Sequence, residues 1–142
     1  MPGIYRNVIP NLFYWVMSGQ ALPIAGDGTE TRDWTYVDDI VNGLLAVGIR
    51  EEAIGEAINL GSGEDHRVVD MASIVNELAG NEAGVVYIER RDWDVKTRLL
   101  SSIDKAKGLL GYEPQTEFED GLKNVHGWFA ENWGEIRKSG KF

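Results

Sequence analysis

Two stretches concentrate the side chains suited to holding an anion. Gly26-Asp27-Gly28-Thr29-Glu30-Thr31-Arg32-Asp33-Trp34 leads a glycine turn into an arginine at the start of a strand. A forked guanidinium placed there grips a phosphate through paired charge-assisted hydrogen bonds. On the residues alone, Arg32 beside Asp33 reads first as a local ion pair, with phosphate binding the alternative. Arg90-Arg91-Asp92-Trp93-Asp94-Val95-Lys96-Thr97-Arg98 puts four cations and two carboxylates into one run. In an acidic chain such a run reverses the local field and attracts an anion, and a solvated charged loop is the equal alternative.

Other chemistries lack their residues. There is no G-x-G-x-x-G, no Walker A sequence and no G-x-S-x-G elbow, and the pairs Gly26/Gly28 and Gly61/Gly63 have no third glycine. His66 and His126 stand far apart and read as structural or solvent-exposed residues. The carboxylates Asp38/Asp39 and Glu51/Glu52 are adjacent instead of facing, which suits helix ends and not acid–base catalysis. Phe118, Trp128, Phe129 and Trp133 lack the interleaved cations of a base-stacking platform, so they read as packing residues.

The elements that must position these residues follow from periodicity. Val8, Ile9, Leu12, Phe13 and Val16 recur at helical spacing up to Gly19, and Ala21–Ile24 is a short extended run before the glycine turn. Trp34, Tyr36 and Val37 are strand-like, and Ile40 to Val47 switch to the helical period. Ala57–Leu60 predicts a strand, Asp70 an N-cap for a helix ending at Gly80, and Val85–Ile88 the clearest strand. Glu89–Arg98 has no clean period. Ser102 is expected to cap a helix that stops at Gly111, and a last helix carries Phe118, Leu122, Val125 and Phe129. Residues 136–142 are expected to fray. Strands alternating with helices make this an α/β chain: a small mixed domain of short strands and about five helices.

Composition narrows the function classes. The 142 residues carry 23 acidic and 14 basic side chains, a net charge of -9, and no Cys. That removes a thiolate nucleophile and cysteine-based metal sites, and it argues against nucleic acid, whose phosphates demand a Lys/Arg excess. The longest apolar run, Leu12–Met17, falls far short of the ~20 residues of a membrane span. Without a signal or transit pattern at the N-terminus, a cytoplasmic location is expected.

Several segments together resemble the C-terminal part of extended short-chain dehydrogenases acting on nucleotide sugars, the family of UDP-glucose 4-epimerase and dTDP-glucose 4,6-dehydratase. They are Tyr5-Arg6-Asn7-Val8-Ile9-Pro10, Leu22–Gly28, Thr31–Asp39, Ile58-Asn59-Leu60-Gly61-Ser62-Gly63, Arg90–Asp94 and Leu109-Leu110-Gly111-Tyr112-Glu113-Pro114. The resemblance implies that Asn7 and Val8 lie near the pyrophosphate of a UDP- or dTDP-sugar, and that Pro23 to Ala25 lie beside its base. It further implies that Arg32 and Arg91 hold the diphosphate and that Asp94 holds a ribose hydroxyl.

The family's N-terminal Rossmann half supplies a glycine-rich NAD loop and a Tyr-x-x-x-Lys pair. Here the residues four places after Tyr5, Tyr14, Tyr36, Tyr87 and Tyr112 are Ile9, Ser18, Ile40, Arg91 and Thr116. Residues 1–142 are therefore expected to be a single substrate-binding domain with no cofactor of its own, NAD belonging to the full-length parent. Hydride transfer and epimerisation are not expected of these residues alone. The missing Rossmann domain is the implied partner, and the uncovered apolar surface makes homodimerisation a further expectation. A noncatalytic interaction or oligomerisation module that keeps only the fold is the alternative, and an unrelated small α/β enzyme comes third.

Overall fold

The computed structural model describes residues 7–90, 92 and 95–138. In chain order these form α1 (Val8–Met17), β1 (Leu22–Ala25), β2 (Thr31–Asp33), α2 (Val37–Ile49), a 3-10 turn (Glu51–Ala53) and β3 (Asp65–Arg67). There follow α3 (Val68–Ala79), β4 (Val85–Ile88), β5 (Arg98–Leu99), α4 (Asp104–Leu110) and α5 (Phe118–Lys138). Five helices with short strands are the α/β arrangement expected.

The chain divides into two compact units. One takes Met1–Thr29, Val68–Asp94 and Leu122–Phe142, the other Glu30–Arg67 and Val95–Gly121. In the first, β1 pairs in parallel with β4, Leu22 opposite Val85 and Ala25 opposite Ile88. Alternation along β1 buries Leu22 and Ile24 and leaves Pro23 and Ala25 on the other face. Leu12, Phe13 and Val16 of α1 and Met71, Ala72 and Val75 of α3 complete this core. Each large side chain so buried stabilises by about 1.5–3 kcal/mol. Leu122, Phe129 and Ile136 of α5 are buried at a seven-residue spacing. Phe129 meets Phe13 at 5.6 Å, and Trp133 meets Tyr14 at 5.5 Å. His126 stacks on Phe13 at 6.0 Å.

In the second unit β2 is central, antiparallel to β3 and parallel to β5. Ala53, Ile103, Ala106, Leu110 and Tyr112 form its core, with Ala46, Val47, Ile58 and Leu60 packed against them.

Several boundaries differ from expectation. The strand lies at Thr31–Asp33, while Trp34–Tyr36 belong to no strand, because Asp33 turns to accept from Thr35 and Ser62. Residues 57–60 form no strand, since no neighbouring strand among the described residues offers them a ladder. Asp70 is not the cap of α3: the helix begins at Val68, directly after β3, and Asp70 sits in its first turn where the dipole favours a carboxylate. Ile103, not Ser102, precedes α4, and the Ser102 hydroxyl donates to Asp104 at 3.0 Å. Gly111 ends α4 in the left-handed region (φ 65°). Of the tail expected to fray, residues 136–138 are helical, with Ile136 buried and Lys138 paired to Glu135 at 2.7 Å; 139–142 lie outside the described residues.

Candidate functional site

In the first unit, Asn7 precedes α1 in extended backbone (φ -66°, ψ 155°), and its side chain makes no capping hydrogen bond. Its carbonyl accepts from the Asn11 N–H at 3.4 Å. The N–H groups of Val8 and Ile9 in the first turn point along the positive end of the helix dipole, and Pro10 has no N–H to add. Pro23 and Ala25 share one face of β1, in register with Val86 and Ile88 of β4, which are about half exposed.

The glycine turn caps the C-terminal ends of this parallel pair, where α/β folds place ligands, and the Gly26 N–H donates to the Ile88 carbonyl at 2.9 Å. A side chain at Gly26 would lie 3.7 Å from Arg90, so the stem of Arg90 runs beside the turn. Asp27 accepts from the Thr29 N–H at 3.0 Å and hydroxyl at 2.7 Å, and those bonds hold its carboxyl below the ordinary range. In the sequence Arg90 stands as one charge of the Arg90–Arg98 run and at the head of a family-like segment, with no role of its own. The Arg-Arg pair immediately after a strand was the available signal.

In the second unit, β2 sends Arg32 and Asp33 to opposite faces. Arg32 donates to the carbonyls of Thr31 at 2.9 Å and Lys96 at 3.1 Å, which fixes the plane of its guanidinium. Asp33 accepts from the Ser62 N–H (2.9 Å) and hydroxyl (2.7 Å), the Thr35 hydroxyl (3.0 Å) and the Ser101 N–H (3.3 Å). Burial opposes its ionisation, but the bonds from Ser62, Thr35 and Gly63 outweigh that and keep its carboxyl low. Asp39, expected only to suit a helix end, is buried and accepts from the N–H groups of Gln115 (2.8 Å) and Thr116 (3.2 Å). It thereby ties the segment after Pro114 to α2. Arg91 and Asp94 lie outside the described residues.

Glycine geometry tests the fit of a dinucleotide. A Cβ at Gly28 (φ 72°) would sit 2.8 Å from Ile24 and 3.0 Å from Val69. One at Gly61 would sit 2.5 Å from the Asp33 carboxylate, and one at Gly63 (φ 78°) 2.9 Å from Ile103. The space at Gly28, Gly61 and Gly63 is filled by the protein's own side chains, which does not suit a cradle for the NAD pyrophosphate. A cleft of about 580 Å³ in the second unit is lined by Ser62, Glu64, Arg98, Ser101, Asp104 and Lys107 among others. It contains none of the expected contacts, and its lining includes two cations, Arg98 and Lys107, and two carboxylates, Glu64 and Asp104.

On β3, Asp65 receives Arg98 bidentately (2.8 and 3.0 Å) and the Thr31 hydroxyl, which lower its carboxyl to about 2. A carboxyl depressed on folding contributes stability above its unfolded value of 3.8 and loses that contribution as pH falls towards 2. The melting temperature should therefore fall between about pH 4 and pH 2. The fall should be shallower in Asp65→Asn; equal slopes would mean that the pair does nothing for stability.

The first unit thus offers a parallel strand pair ending in a glycine turn beside Arg90, and the second a short mixed sheet on which Arg32 is fixed. The chain belongs to the sugar-nucleotide epimerase/dehydratase family: the family model for GDP-mannose 4,6 dehydratase matches residues 4–125. It is 70% identical to a solved epimerase of Methanothermobacter thermautotrophicus, covering 97% of this chain and 41% of that one, with a TM-score of 0.94. UDP-glucuronic acid 4-epimerase of Bacillus cereus, solved with UDP-glucuronic acid and NAD, is 29% identical over 88% of this chain and 40% of its own, with a TM-score of 0.81. UDP-glucuronate 4-epimerase of Thermodesulfobacterium geofontis is 38% identical over 83% of this chain and 36% of its own. The chain thus spans well under half the length of these relatives. No helix among the described residues is long and apolar enough to cross a membrane.

Proposed function

We propose that residues 1–142 act as one substrate-binding domain that holds the nucleotide diphosphate of a UDP- or dTDP-sugar for an epimerase or dehydratase. Membership of the family, with 70% identity to an epimerase, is the observation that carries this reading. Asn7, preceding α1, and Val8, in its first turn, set the start of the helix, whose backbone N–H groups and dipole serve the pyrophosphate. Pro23 and Ala25 form a flat apolar strand face for the base. Arg32 and Arg91 grip the diphosphate; two carbonyl bonds already orient Arg32, which reduces the entropy lost on binding. Asp94 accepts from a ribose hydroxyl.

A longer relative, UDP-glucuronic acid 4-epimerase of Bacillus cereus, is solved with NAD. The glycine pairs here do not suit it and no Tyr-x-x-x-Lys occurs, so no redox step is assigned to these residues.

Melting temperatures measured with UDP, dTDP, GDP, UDP-glucose and NAD in parallel test the proposal. At a hundredfold excess over Kd, a uridine or thymidine diphosphate should stabilise by about 2.7 kcal/mol. That corresponds to a rise of roughly 5–10 °C. Arg32→Ala and Arg91→Ala should each weaken binding at least about tenfold, the loss of one charge-assisted contact. An unchanged ligand shift in both variants would refute the assignment.

A further inference from the structure

Hydrophobic burial does not hold the segment that orients Arg32. Every residue of 95–100 is exposed, Val95 by 77%, and β5 consists of only two residues. Polar ties hold it instead. The Thr31 N–H donates to the Thr97 carbonyl at 2.9 Å, β5 runs parallel to β2 with Arg98 opposite Thr31, and Arg98 reaches over to Asp65 on β3. A segment with so few buried apolar contacts opens locally at low free energy unless such ties close it.

β3 and β5 flank β2 on opposite edges, so the pair Asp65–Arg98 spans the whole sheet. Alternation places Thr31 and its register partner Arg98 on one face, with Asp65, and Arg32 on the other, beside His66 and Leu99. Asp65 accepts two guanidinium bonds, at 2.8 and 3.0 Å, and the Thr31 hydroxyl, so one carboxylate joins all three strands. A forked pair of this kind fixes direction as well as distance. On the opposite face the Arg32 guanidinium donates to the carbonyls of Thr31 and of Lys96, two residues before Arg98. The Lys96 carbonyl keeps its place only while β5 lies against β2.

We propose that Asp65 is a positioning residue of the nucleotide site: through Arg98 it clamps β5 to the sheet and so holds the Lys96 carbonyl that orients Arg32 on the other face. The inference rests on the proposed role of Arg32 at the diphosphate. Without the clamp the guanidinium regains rotamer freedom, and binding must order it again.

Two measurements on the 142-residue chain test it. Without nucleotide, hydrogen exchange at the Thr31 amide should speed up at least about tenfold in Asp65→Asn and in Arg98→Gln. The Arg98 side chain is 64% exposed, so its variant carries the test if Asp65→Asn does not fold. With UDP, titration calorimetry at neutral pH should show Kd raised about threefold to tenfold in each variant, the loss of one preoriented side chain. In an Arg32→Ala background the same two substitutions should change Kd less than about twofold, because a residue acting through Arg32 has nothing left to position. A merely structural role would weaken binding again there, and equal losses with and without Arg32 overturn the proposal. Unchanged exchange at Thr31 overturns it as well. Parent-like affinity in both variants, with Arg32→Ala still weakened, removes the clamp and leaves the diphosphate reading standing. If the unaltered chain does not bind UDP, or Arg32→Ala binds as tightly as the parent, the diphosphate reading falls and this inference falls with it.

Discussion

Replacing Asp33 by alanine is expected to lower stability by about 3 kcal/mol, a fall in melting temperature of roughly 6–12 °C. The carboxylate is the one acceptor common to Ser62, Thr35 and Ser101, joining three segments distant in sequence. Hydrogen bonds to a charged acceptor are worth about 1.5–3 kcal/mol each, but they do not add, and the exposed hydroxyls recover water. Asp33→Asn should cost about half as much, because one oxygen still accepts from Ser62 while the amide nitrogen meets the N–H groups of Gly63 and Ser101. Thermal or urea denaturation measures both. Parent-like stability in Asp33→Ala would mean that water replaces the carboxylate fully. Arg32 is the adjacent residue on the same three-residue strand, so under the proposed binding role the variant should also weaken nucleotide binding with its guanidinium untouched.

Phe13→Ala should destabilise more, by about 4 kcal/mol, because a fully buried ring is removed and the cavity relaxes only in part. His126 stacks on that ring and Phe129 meets it at a tilt, and both would lose their partner. Phe13→Leu should cost only about 1–1.5 kcal/mol, since most of the volume is retained. Urea midpoints with unchanged slopes are the expected signature. A loss below about 1 kcal/mol for Phe13→Ala would show that the stack is not a core contact.

The elements with strong local signals were legible in the sequence. α1 follows from Leu12, Phe13 and Val16 at helical spacing, β4 from its four β-formers, and the end of α4 from Gly111. β3 was not legible, because Asp65-His66-Arg67 has no apolar alternation and is held by pairing with β2 and by the Arg98 bridge. Residues 57–60 have the pattern of a strand but no partner strand among the described residues, so their local preference is unrealised here. At the site, Arg32 was visible as a charge, but its orientation depends on the Lys96 carbonyl, contributed by a distant loop. Asp33 and Asp39 looked like ordinary helix-end or ion-pair carboxylates. Their roles depend on backbone N–H groups far along the chain, which no spacing rule reveals.

The interleaving of the two units has a kinetic consequence. Leu22 meets Val85 and Thr31 meets Arg98, so neither sheet can close from neighbouring residues. As the chain leaves the ribosome, β1 and β2 emerge long before β4 and β5, and their open edges must wait. High contact order of this kind places folding on the scale of roughly milliseconds to seconds. In that interval Leu22 and Ile24 are exposed beside unpaired backbone, and a nascent chain halted before Val85 holds a complete ladder for neither strand.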